Sequence, residues 1–225
     1  MTAPWSLKEL RDRVTTTQPS NAKSIIEIIN SLGRSREIFD YHKCLSRDAF
    51  AAFNTENDPS GAEFAKHAFG CGGDEDIFWR AGLASEANLI ACISITRNSF
   101  DSFGQLLNYL VVPTPCKGHF YIQHVLNALP AGQLKDQLNV AISSDWFGYV
   151  HAFMNTVKHR QLITHNASIS FIDDNRGGKV LGFEHKGKHY TGRWVREVLK
   201  GTVELQNSLT ACGRELNRLY LRDTA

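Results

Sequence analysis

The chain has 225 residues, 42% of them hydrophobic and 21% charged, with a formal net charge of +2. Those values describe an ordinary globular protein long enough to bury one full core, and so small a charge does not by itself argue for a nucleic-acid partner. The first residues carry frequent charges without an apolar run, and no later stretch reaches the roughly 20 apolar residues of a membrane span, so a cytoplasmic chain off the membrane is expected. The five cysteines (Cys44, Cys71, Cys92, Cys116, Cys212) are scattered, which suits reduced thiols rather than disulfides or a structural zinc.

In chain order, residues 5–16 and about 20–53 have helical spacing. The second stretch opens at Ser20 as N-cap, uses Ile25, Ile26, Ile28, Ile29 and Leu32 as apolar contacts, and is expected to break at Gly33. Residues 54–76 are rich in glycine and acidic side chains and read as loops around at most one short helix. The strongest helix runs over about 83–112 and is closed by Pro113 and Pro115, because proline lacks an amide proton and disfavours helix in the residue before it. Leu89, Cys92, Ile93, Phe100, Phe103, Leu107 and Leu110 give it a wide apolar face; Arg97, Asp101, Gln105 and Asn108 give it a narrow polar stripe. A short helix is expected over about 120–128. Another starts at Asp145 and runs through Trp146, Val150, Phe153 and Val157 to about residue 163.

Between residues 168 and 190 the period changes from 3.6 to 2. The segment predicts a strand, a turn at Asn175, Arg176, Gly177 and Gly178, and further strands around a turn at Lys186 and Gly187. Helical spacing returns from about 192 to 222, with Trp194, Val198, Leu205, Leu209, Leu216 and Leu219. The expected architecture is one mainly α domain, a helical bundle with a small β-hairpin or meander before the last helix. Residues 1–76 would supply N-terminal helices and a loop, and residues 77–225 the core.

The chemistry-bearing cluster is Lys158, His159 and Arg160, followed by His165. Trp146, Val150, Phe153, Val157 and Arg160 fall within about 40° of one line on a helical wheel, so Arg160 ends an apolar stripe. A guanidinium at the edge of a core needs a carboxylate, a phosphate or water. Arg160 therefore either grips an RNA phosphate, or joins a structural carboxylate or snorkels to solvent. His165 titrates near neutrality and is either a general acid or base or a helix-terminal histidine bonded to free carbonyls. On an unbroken helix the two side chains would diverge by about 140°, so they converge only if the helix unwinds or a second chain intervenes. His67 with Cys71 and His185 with His189 are weak metal pairs, and there is no glycine-rich phosphate loop or nucleophile elbow. No metal and no cofactor is expected.

The run Asn155-Thr156-Val157-Lys158-His159-Arg160-Gln161-Leu162-Ile163-Thr164-His165 resembles the motif of HEPN domains, a helical superfamily marked by Arg, usually a polar residue, then His after four to six intervening positions. The spacing is Arg-x4-His with Gln161 in the polar place, where the family most often has Asn, Asp or His. In general layout the resemblance covers residues 83–222, with the β segment as a departure. It implies a homodimer whose two motifs face each other and which cleaves RNA without metal, Arg160 and His165 being catalytic and Asn155, Lys158, His159 and Gln161 in support. It also implies that an acidic residue on the earlier helix, here Asp101, orients the motif arginine; from spacing alone Asp101 pairs equally well with Arg97. Many members look non-catalytic, so the alternative is a helical module for dimerisation or partner binding, as in defence or toxin–antitoxin systems, with a protein partner that the sequence does not name.

From Arg176 to Lys200 there are seven Lys or Arg against Glu184 and Glu197, with His185, His189, Tyr190 and Trp194 interleaved. Cations beside aromatics suit RNA phosphates and stacked bases, which makes Lys179, Lys186, Lys188 and Arg193 candidate RNA contacts; a solvated hairpin is the other reading.

Overall fold

The computed structural model describes residues 4–18, 20–54, 61–71 and 75–222. It is mainly helical, with a small antiparallel strand meander before the C-terminal helix. The helices are α1 (Leu7–Thr17), α2 (Ala22–Asp48), α3 (Ala62–Ala68), α4 (Glu75–Leu110), α5 (Ile122–Ala128), α6 (Gln133–Ile142), α7 (Asp145–His159) and α8 (Val195–Arg222), with a 3-10 turn at Ala51–Phe53. Among the described residues no helix is long and apolar enough to cross a membrane.

Two compact units divide the chain. One comprises Met1–Ile38, Ile95–Gly148 and Val203–Ala225, the other Phe39–Ser94 and Tyr149–Thr202. The compositional boundary at residues 76 and 77 falls inside the second unit.

In the first unit, Leu10 and Val14 of α1, Ile25 and Ile29 of α2, and Phe100, Phe103 and Leu107 of α4 are buried, as are Leu134 and Leu138 of α6. Helix α2 runs unbroken through Gly33, against the expected interruption. A Cβ there would come within 3.0 Å of Leu7 Cδ1, so the glycine serves the approach of α1 rather than a break. Trp5 packs edge-on to Phe103 with ring centroids 5.7 Å apart and donates from its indole to Asn217 Oδ1 at 2.9 Å, while Asn217 Nδ2 donates to the Ser6 carbonyl at 2.8 Å. Asn108 Oδ1 accepts the Cys116 amide at 2.7 Å, which fixes the chain beyond Pro113. Helix α6 was not expected: Pro130 and Gly132 leave it a short window, yet Leu134, Leu138, Ala141 and Ile142 form one buried stripe.

In the second unit, α4 begins at Glu75, earlier than expected, with Glu75 and Asp76 in the first turn where the positive end of the helix dipole favours them. Phe50, Phe64 and Phe78 form a satellite aromatic cluster with edge and tilted contacts. The strands are β1 (His165–Ser170), β2 (Asn175–Val180), β3 (Phe183–His185), β4 (Lys188–Tyr190) and β5 (Arg193–Trp194). One antiparallel sheet has the order β1-β2-β5, and β3 pairs β4 in a second sheet.

Two local readings are corrected here. The turn expected at residues 175–178 is strand β2, and the chain reverses instead at residues 171–174, where Asp174 takes φ 45°. Gly178 mimics a turn signal but is needed for contact: a Cβ there would lie 2.5 Å from His165 Nε2 and 2.8 Å from both Ser85 Oγ and Val195 Cγ2. The Lys186–Gly187 turn stands where expected, with φ 50° and 76°, the pair of left-handed residues that matches the strand twist in a two-residue hairpin.

Candidate functional site

Helix α7 ends at His159, four residues before its expected end. The amides of Arg160 and Gln161 both donate to the Thr156 carbonyl, at 2.9 and 3.1 Å, and the chain then leaves the helix to enter β1 at His165. From the sequence, Arg160 and His165 converge only if the helix unwinds or a second chain intervenes; the helix does end between them. Lys158, His159, Arg160 and Gln161 are all exposed. Lys158 and His159 occupy the last turn, where cations stabilise the negative end of the helix dipole. Asn155 is turned back on its own helix, donating from Nδ2 to the His151 carbonyl at 2.8 Å.

His185, on β3, is the histidine whose surroundings include Arg160. His185 lies edge-on to His151, with centroids 6.4 Å apart. Burial first, then Lys186 and Arg160, hold its imidazole below the usual range. His165 is half-buried, and its Nε2 lies 3.1 Å from Ser85 Oγ. Burial lowers its proton affinity, opposed by a hydrogen bond of the ring to its own main chain. The structure thus adds Ser85, a buried serine 80 positions away in sequence, which no local pattern signals.

Asp101 pairs with Arg97, the partner that its spacing also allowed. Its carboxylate meets Arg97 at 2.6 Å within the first unit, and the Arg97 guanidinium lies over the Phe147 ring. Arg160 belongs to the second unit.

The basic candidates of the strand region sit on aromatic rings. Lys179 and Trp194 are register partners in β2 and β5, and the lysine Nζ lies 5.1 Å from the Trp194 ring centre. Lys188 and Tyr190, two apart on β4, share a face, with Nζ 5.1 Å from the Tyr190 ring. The Arg193 guanidinium lies 5.6 Å over Tyr149, which also meets Phe183 and Tyr190. Phe183 and Tyr190, register partners in β3 and β4, stack at 4.9 Å and 8°. Lys186 is exposed at the hairpin turn. Tyr149 was absent from the sequence-based site. Its spacing of four from Phe153 reads only as core, and Tyr149 is buried.

The His165 environment has a measurable consequence. A histidine whose imidazole is held below its ordinary value is protonated more readily in the unfolded chain. The stability it contributes is present above the unfolded value near 6.5 and is lost as pH falls through the folded value. The melting temperature is therefore expected to drop between about pH 7.5 and about pH 5, and His165→Gln should flatten part of that drop. His185, lowered in the same direction, accounts for a further part that His165→Gln leaves in place. An unchanged pH slope in His165→Gln would contradict the burial of the ring.

No family model, no curated protein and no solved structure matches the chain.

Proposed function

We propose that the chain is a HEPN-like, cytoplasmic module that binds single-stranded RNA through the strand region of the second unit, with Lys179, Lys186, Lys188 and Arg193 as its phosphate contacts. The observation that carries this reading is the placement of Lys179, Lys188 and Arg193 over aromatic rings. A cation held over a ring keeps its charge outward for a phosphate, and the partly exposed Tyr190 ring offers stacking surface to a base, while the buried Trp194 and Tyr149 rings hold their cations in place. The exposed Lys158 and Arg160 add phosphate-binding charge from the end of α7. Two copies act together, the arrangement that the resemblance implies.

Metal-independent cleavage is the second reading, favoured by the neutral state that burial gives His165 near pH 7. In such a reaction the ribose 2′-hydroxyl gives its proton to a base and bonds to the adjacent phosphorus. The bond from phosphorus to the 5′ oxygen breaks, that oxygen takes a proton, and a 2′,3′-cyclic phosphate remains. Arg160 would stabilise charge on the phosphorane-like transition state. Binding ranks ahead of cleavage because the His165 Nε2 is engaged by Ser85.

One set of measurements separates the two. Labelled single-stranded RNA incubated in EDTA is expected to bind, and under the cleavage reading also to be cut. Arg160→Ala and His165→Ala should then each abolish cutting, with the double variant losing little more. Binding without cutting across pH 5 to 9 leaves the module, and a chain that neither binds nor cuts RNA removes both readings. Sedimentation as a monomer at micromolar concentration would remove the paired-copy element.

A further inference from the structure

In the first unit, where the start of α1 meets α2, α4 and α8, a cavity of about 420 Å³ opens beside Trp5. Small-molecule sites span roughly 300 to 1,000 Å³, so the recess has room for one bicyclic ring. Leu7, Leu32 and Leu209 share its wall with the indole. We propose that this cavity binds a neutral aromatic molecule carrying an N–H or O–H donor, of the indole or phenol class.

The polarity of the ligand follows from which hydrogen-bonding groups of the wall are already spent. Ser99 donates from Oγ to the Ile95 carbonyl at 2.8 Å, and Thr210 donates from Oγ1 to the Gln206 carbonyl at 2.9 Å. A hydroxyl has one proton and two lone pairs, so each keeps only the capacity to accept. Gln206 Nε2 donates to Thr96 Oγ1 at 3.4 Å, which leaves the carboxamide oxygen as a third acceptor against one remaining amide proton. Ser99 and Gln206 line the cavity and are each only 4% exposed, so the cavity is where that capacity can be met. A buried acceptor without a donor is costly, and a ligand N–H or O–H supplies one. Asn207, at the rim, is exposed and served by water.

Charge decides against ionic ligands. No Asp or Glu lines the cavity, so an ammonium would lose hydration without gaining a counter-ion. Arg36 is the one charged residue of the wall and is already engaged within the protein, so a carboxylate would exchange water mainly for other oxygen acceptors. The aromatic body is matched by Trp5, whose indole is pinned by its 2.9 Å bond to Asn217 and by its edge contact with Phe103. A second ring can meet this fixed one edge-on or offset, and little ordering of the wall is needed first.

The test offers the full chain indole, benzofuran, tryptamine and indole-3-acetate. Benzofuran has the shape of indole without the N–H. Indole is expected to raise the melting temperature and, in calorimetry, to bind about fivefold more tightly than benzofuran, the value of one neutral hydrogen bond. Tryptamine and indole-3-acetate should bind more weakly than indole. Thr210→Val, Ser99→Ala and Gln206→Met each remove one acceptor, and at least one of them should erase the preference for indole while leaving benzofuran affinity unchanged. Because Thr210 is only partly buried and valine has its shape, Thr210→Val is the variant whose folding is secure. A chain that does not bind indole, or binds indole and benzofuran equally, overturns the proposal. So does a preference for either ionic probe, or a preference for indole that survives in all three variants.

Discussion

Replacing Gly213 by leucine is expected to destabilise the chain about as much as removing the Trp5 side chain, roughly 3 kcal/mol at the lower end of the range for large aromatics, since Trp5 is only partly buried. A Cβ at Gly213 would lie 2.5 Å from two carbons of the Trp5 indole, closer than van der Waals contact allows. The indole is a rigid ring rather than the end of a flexible chain, so the substitution must expel it. Its edge contact with Phe103 and its hydrogen bond to Asn217 go with it. For a chain of this length the melting temperature should fall by about 6 to 12 °C. The decisive measurement is a double-mutant cycle: Trp5→Ala and Gly213→Leu should each cost this much, and the pair together little more than either, because both delete one contact. Full additivity would mean that the indole does not sit on Gly213.

That contact also marks where sequence reading stops. Trp5 and Gly213 lie at opposite ends of the chain, and neither has a periodic context that names the other. Gly33 and Gly178 fail in a related way. Each reads locally as a breaker, because glycine is conformationally permissive, yet α2 and β2 continue through them. The reason for glycine is a neighbour, Leu7 in one case and His165 with Ser85 in the other. What could be read is what depends on local period: the long apolar helix, the switch to strands before residue 190, the Lys186–Gly187 turn and the closing helix. The same holds for the site. The run of cations near the end of α7 is read directly from the sequence, but the exposure of Arg160 is not, because spacing aligns it with the apolar stripe. Nor is the partner of His165, since Ser85 comes from the middle of α4.

Neutralising the cations of the strand region is expected to have the largest effect on RNA. Each cation that contacts a single-stranded phosphate contributes about 0.7 to the slope of log affinity against log salt. Replacing Lys179, Lys186, Lys188 and Arg193 together by glutamine should lower that slope by close to 3 and weaken binding at about 0.1 M salt by a few hundredfold. Stability should move far less, because cation–π contacts at exposed sites are worth about 0.5–1 kcal/mol each, and three of the four make one. A control must separate local contacts from bulk charge. Replacing the exposed Lys8, Lys23, Arg34 and Lys117 of the first unit by glutamine changes net charge equally. If the cations that sit on Trp194, Tyr190 and Tyr149, with Lys186 at the hairpin turn, contact the RNA, the control keeps most of the affinity and the strand-region variant loses it. Equal losses in the two variants would reduce the interaction to the attraction of any polyanion for a cationic protein, and the strand-region cations would then have no special claim on RNA.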